Sequence, residues 1–165
     1  MERTNWRRDI SGRLWESFGR SMLHSYWRVT RGMTLGVRGL VVDGAGRILL
    51  VQHSYVHGWH LPGGGVEPGE TTLQALAREL AEEGNIRLAS EPRLHGIFFN
   101  RRVSRRDHVA VYVVQDFEQT GPYKANREIA VASFFALDAL PNDTTAGTRA
   151  RIAEVMGGAP VSEHW

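Results

Sequence analysis

Residues 64–86 read GGVEPGETTLQALARELAEEGNI, and this stretch decides how the rest of the chain is read. A glycine-rich loop leads to a turn at Glu67-Pro68-Gly69 and then to a helix that runs through Glu83. Thr71, with Gln74 three residues on, is a capping-box pair that opens the helix. Leu73, Leu76, Ala77 and Leu80 recur at helical spacing and form its buried stripe. Glu79, Glu82 and Glu83 stand at i, i+3 and i+4, so they share a face beside that stripe and are expected on its open side. Like charges so spaced cost a helix roughly 0.2–0.5 kcal/mol per pair, and the end of the helix disfavours anions further. A bound divalent cation turns the repulsion into coordination, and carboxylate oxygens suit Mg²⁺, Mn²⁺ or Ca²⁺ rather than soft metals.

Outward from this stretch, short apolar runs alternate with turns. Thr34–Val42 and Ile48–Val51, joined by Asp43-Gly44-Ala45-Gly46, read as a β-hairpin. A loop rich in aromatic and imidazole side chains, from His53 to His60, leads into Leu61-Pro62 and the glycines. Downstream, Arg93–Asn100 and His108–Phe117 read as strands joined by an Arg-rich turn, and Ser133–Ala136 as a short strand. Thr144–Met156 reads as a last helix, ended by Gly157-Gly158. Hairpins and helices in this order predict an α+β chain, with a sheet between helices. Residues 9–28 read as an amphipathic helix, with Leu14, Trp15, Phe18 and Met22 on one face. The expected division is an N-terminal helical extension over 1–31, one domain over 32–158, and a tail over 159–165.

The composition excludes several classes of protein. A length of 165 residues suits one folded domain, and 42% hydrophobic with 23% charged residues is ordinary for a globular one. The net charge of +2 makes no strong field, and no DNA partner is expected. Without cysteine, neither disulfides nor thiolate metal sites are available. No apolar run nears the ~18 residues of a membrane span, and the Arg-rich start lacks the apolar core of a secretory signal. A cytoplasmic protein with no membrane partner is the expectation.

The spacing from Gly64 to Ile86 closely resembles the Nudix box, the signature of the Nudix hydrolases. That pattern is Gly, five residues, Glu, seven residues, Arg-Glu-aliphatic-any-Glu-Glu-any-Gly-aliphatic. Gly64, Glu70, Arg78, Glu79, Leu80, Glu82, Glu83 and Ile86 match it. Asn85 stands where the family has Gly, at a helix exit that calls for a left-handed residue. Asn is the best non-glycine choice there. The resemblance implies an α/β/α sandwich with a mixed sheet. It also implies hydrolysis of a nucleoside diphosphate linked to another moiety, with Mg²⁺ or Mn²⁺ as cofactor and water attacking the pyrophosphate.

By the same resemblance, Glu82 and Glu83 are expected as metal ligands, Glu79 as ligand or general base, and a backbone carbonyl at Gly63 or Gly64 as a further ligand. Glu70 is expected to support the site, and Arg78 to orient a box carboxylate. Gly63, Gly64 and Gly65 shape the backbone for close approach. Family members differ in which residue activates water, so Glu128 is a candidate base on a later loop, with Asp107 second. Arg101 and Arg102, with Arg105 and Arg106, are candidate phosphate clamps. Tyr55, His57, Trp59 and His60 are candidates for a base or sugar pocket. The markers of the ADP-ribose, dinucleoside polyphosphate, NADH and coenzyme A groups are missing after the box. The absence of cysteine argues against isoprenoid diphosphate isomerisation. The competing reading is a catalytically silent Nudix-fold module that binds or senses a nucleotide. The three intact glutamates favour the enzyme. A homodimer is a further expectation, with the N-terminal helix as a candidate interface.

Overall fold

Alternation along the strand Thr34–Val41 (β1) sets the architecture. Val37 and Val41 belong to one apolar cluster and Leu40 to another, and all three are wholly buried. A strand buried on both faces needs a layer on each side. The computed structural model describes residues 32–165 except 122, 124 and 126, and it supplies both layers. The helix expected over 9–28 lies outside the described residues.

The strands are Ile48–His53 (β2), Trp59–His60 (β3), Ile86–Leu88 (β4), Arg93–Phe99 (β5), Asp107–Val114 (β6), Phe117–Gln119 (β7) and Ile129–Phe135 (β8), with helices Thr72–Gly84 (α1) and Ala146–Gly157 (α2). One mixed sheet has the order β1-β6-β5; β1 runs parallel to β6 from Thr34↔Asp107 to Val41↔Val114, and β5 pairs antiparallel. An antiparallel sheet has the order β3-β2-β8, and β4 pairs with β7. Ala75, Leu76 and Leu80 of α1 pack with Val37, Val41, Leu49, Ala110, Tyr112 and Val114. Ile152 of α2 packs with Leu40, Ile48, Leu50, Phe98, Val109 and Val111. This is the α+β sandwich expected from the sequence. Gly39 lets α1 come close to β1, since a Cβ there would meet Leu80 at 3.0 Å and Leu76 at 3.2 Å.

The expected hairpin over 34–51 is corrected. Asp43 caps the turn by accepting from the backbone N–H of Ala45 at 3.0 Å and of Arg47 at 2.9 Å. Beyond the isolated Val42↔Ile48 bridge, however, β1 and β2 enter different sheets. Chain neighbours separate here because β1, buried on both faces, finds its partner in β6. Residues 159–165, expected as a tail, are bound to the domain. Phe99 N–H donates to Glu163 O at 2.9 Å, and Trp165 N–H donates to Phe99 O at 3.1 Å.

Helix α1 begins with the expected capping box: Gln74 N–H donates to Thr71 Oγ1 at 3.2 Å, and Thr71 N–H to Gln74 Oε1 at 2.8 Å. It ends at Asn85, which is left-handed at φ 53°. Asn85 also donates from Nδ2 to Gly121 O at 3.0 Å, a bond that a glycine could not make.

Candidate active site

Helix α1 brings its carboxylates up beside the Gly63–Gly65 loop. A cleft of about 360 Å³ lies there, lined by Arg38, His53, Tyr55, Val56, His60, the three glycines, Glu79, Glu83 and Glu128. Gly63 has φ 139°, and a Cβ on it would collide with the Val37 carbonyl. The loop thus lies directly on β1: Val37 N–H donates to Gly64 O and Gly39 N–H to Pro62 O, each at 2.8 Å.

Glu83 is buried, which corrects its expected place on the open face. Its Oε2 accepts the Gly63 N–H at 2.6 Å. Burial pushes its carboxyl up to about 7. The Gly63 bond and Arg38 pull it down, while Glu79 and Glu128 push it further up. Glu79 is half-buried, and Arg78 Nη1 donates to its Oε1 at 2.7 Å. Arg78 also forks onto Glu70, from Nε at 3.0 Å and Nη2 at 3.1 Å, and reaches Gly65 O at 3.1 Å. Glu70 therefore acts on the cleft through Arg78 and does not line it. Glu82 points outward, with 60% of its side chain exposed and its Oε2 3.8 Å from Arg78 Nη1.

Other expected residues divide between the cleft and elsewhere. Glu128, Tyr55 and His60 line the cleft. Trp59 packs edge-on against Phe135 at 4.8 Å beside the α2-side core, not in the cleft. Arg101 and Arg102 sit exposed on the β5–β6 turn; Arg102 borders a second cavity, beside Arg151 and Trp165. Asp107 is held by Thr34 Oγ1 at 2.6 Å and by Asn100 Nδ2 at 2.8 Å, and is absent from the cleft lining. His57 is exposed, with its carbonyl 3.2 Å from His60 Nε2.

Two cleft residues were not anticipated. Arg38 is half-buried, and its Nη1 donates to Leu61 O at 3.0 Å and to Gly63 O. Burial lowers its pKa, while Glu83 and Glu79 oppose that shift. His53 Nδ1 is buried without a hydrogen bond, 4.0 Å from Glu83 Oε1. Burial, with Arg38 and His60, holds this imidazole down at about 4. A lone charge within the apolar run 35–42 was the available signal for Arg38.

The description "NUDIX domain" fits residues 32–155, most of the chain. The chain belongs to the NUDIX family. Among its relatives, the "RNA pyrophosphohydrolase" of Rhodopseudomonas palustris is 48% identical over 64 residues, which cover 37% of each protein. "Diphosphoinositol polyphosphate phosphohydrolase 2" of Rattus norvegicus is 43% identical over 70 residues, covering 42% of this chain and 38% of that one. The chain thus spans well under half the length of these curated relatives. A solved MutT NUDIX hydrolase from Burkholderia pseudomallei is 28% identical with a TM-score of 0.65, over 74% of this chain and 98% of that one.

The NUDIX cleft offers hard oxygen donors in Glu79, Glu83 and Glu128, while the Gly63, Gly64 and Gly65 carbonyls already accept from Arg38, the Val37 N–H and Arg78. Among the described residues, no three acidic or imidazole groups converge into a cage for a metal. No helix among the described residues is long and apolar enough to cross a membrane.

Proposed function

We propose that this NUDIX domain hydrolyses the pyrophosphate of a nucleoside diphosphate linked to another moiety, with Mg²⁺ or Mn²⁺. One observation carries the reading: Glu79, Glu83 and Glu128 line a single cleft against the Gly63–Gly65 loop. Unit charges ~6 Å apart interact by about 3 kcal/mol at an effective dielectric of 20, so these carboxylates repel a bare diphosphate. A divalent cation, when bound, would neutralise phosphate oxygens and lower the pKa of a bound water.

The residues then divide the work. Glu79 and Glu83 hold the cation, with the Gly64 carbonyl beside them and Glu82 at the rim of the same helix face. Arg78 keeps Glu79 turned toward the cleft through the bond at 2.7 Å. Glu128, which also lines the cleft and is exposed, takes the proton of the attacking water. Tyr55 and His60 receive the nucleoside side of the substrate, in a cytoplasmic setting where nucleotides and Mg²⁺ occur together.

Purified protein with Mg²⁺ or Mn²⁺ is tested on nucleotide sugars, dinucleoside polyphosphates, nucleoside triphosphates and 5′-triphosphorylated RNA, with phosphate and mononucleotide release as readout. Turnover of at least one is expected. Silence across the panel with both metals overturns the reading.

A further inference from the structure

The cleft that is to take a diphosphate is lined by Glu79, Glu83 and Glu128, yet among the described residues it also holds one permanent cation. Among its described lining residues, His53 and His60 are imidazoles whose pKa burial lowers below the ordinary 6.5. Arg78 stands behind the cleft, with its fork engaged by Glu70, Glu79 and the Gly65 carbonyl. Among the described residues Arg38 is the remaining positive side chain, and it lines the cleft itself.

Its geometry is preset. Nη1 is tethered to the Leu61 and Gly63 carbonyls, on either side of Pro62. Nε and Nη2 donate to no acceptor among the described residues. Glu83 and Glu79 act on the guanidinium only through space, with no hydrogen bond between them. A planar guanidinium anchored through one nitrogen presents its other donors in a fixed direction, which suits the oxygens of a phosphate.

We propose that Arg38 is a phosphate-binding residue: it holds an oxygen of the diphosphate with the guanidinium edge left over from the Leu61 and Gly63 carbonyls. This rests on the diphosphate reading of the cleft. The carboxylates of α1 and Arg38 of β1 then grip the same group together. A lysine at 38 would keep the charge but could not bond both carbonyls and a phosphate in one plane.

The test uses methylenediphosphonate, a diphosphate that is not hydrolysed, titrated calorimetrically in Mg²⁺ into wild type, Arg38→Met and Arg38→Lys. Binding of Mn²⁺ alone is measured in parallel by electron paramagnetic resonance. Arg38→Met is expected to weaken diphosphonate binding by about tenfold or more, the scale of a lost charge-assisted hydrogen bond. Its Mn²⁺ affinity should be unchanged or tighter, because a cation near Glu79 and Glu83 has gone. Arg38→Lys should fall between the two, and it carries the test if Arg38→Met does not fold. Wild-type diphosphonate affinity in the folded variants overturns the proposal. So does equal loss of diphosphonate and Mn²⁺ binding, which marks a purely structural arginine. Failure of wild type to bind the diphosphonate overturns the diphosphate reading itself.

Discussion

Glu79 closes over Gly64 so tightly that a β-carbon on Gly64 would overlap both oxygens of the Glu79 carboxylate. The glycine is therefore a space requirement of the glutamate. Gly64→Ala should displace Glu79 while the fold survives, because Gly64 lies in a loop and not in either apolar cluster. A misplacement of about 1 Å can cost about 100-fold in rate. The expected result is a fall in kcat of that order with an unchanged circular dichroism spectrum. Wild-type turnover would show that Glu79 needs no fixed position.

Arg78 bridges Glu70, Glu79 and the Gly65 carbonyl. Arg78→Lys keeps the charge and loses the fork. We expect kcat/KM to fall by about tenfold or more with little change in Tm, since part-exposed ion pairs add little stability. Steady-state kinetics beside a thermal melt would check this. A large drop in Tm at full activity would give Arg78 a structural role only.

The three glutamates of α1 should not weigh equally. Glu79 and Glu83 line the cleft, whereas Glu82 is 60% exposed and reaches it only past Arg78. Mn²⁺ affinity should fall most in Glu83→Gln, less in Glu79→Gln and least in Glu82→Gln. Equal loss in all three would mean that Glu82 swings fully into the cleft when metal binds.

Glu83 and His53 set opposite pH dependences in protein stripped of metal. Glu83 is pushed up to about 7 from the ordinary 4.5, so its contribution to stability is full below 4.5 and is lost as pH rises through 7. His53 is held down at about 4 from the ordinary 6.5, so its contribution is present above 6.5 and is lost as pH falls through 4. In EDTA, Glu83→Gln should gain Tm relative to wild type on going from pH 5 to pH 8. His53→Asn should gain on going from pH 7 to pH 4. Adding Mg²⁺ near pH 7 should release protons from the wild type and not from Glu83→Gln. Differences in Tm that do not change with pH would refute the assignment.

Away from the cleft, the last residues brace α2. Arg151 is wholly buried, lies 3.7 Å over the Phe98 ring and 5.8 Å from that of Trp165, and bonds Glu154 at 2.5 Å. Glu154 also meets His95 Nε2 at 2.8 Å, and Trp165 rests against Gly147. Trp165 is half-buried against that core, so Trp165→Ala should destabilise by about 2 kcal/mol, below the range for a fully buried aromatic. Urea unfolding would measure it, and a change below about 0.5 kcal/mol, the surface range, would show that the bracing is superficial.

The legible part of this protein was local. The capping box, the spacing of Glu79, Glu82 and Glu83, and the left-handed exit at Asn85 follow from helical geometry over a few residues, and the structure shows each of them. Legibility failed wherever a distant partner decided. β1 was read as pairing with its neighbour β2 and instead pairs with β6, because alternation reveals that both faces are buried but not by what. Glu83 looked exposed by periodicity and is buried under the loop at Gly63. Trp59 looked like a pocket residue and joins the core.

From its sequence alone this chain declared its family resemblance and the helical carboxylates of its candidate cleft, because covalent spacing on a helix sets which side chains share a face. Only the tertiary structure brought Arg38 of β1, His53 of β2 and Glu128, just ahead of β8, around those carboxylates. Which strands pair, and so which residues meet, depends on the packing of two buried sheet faces. No local spacing encodes that choice.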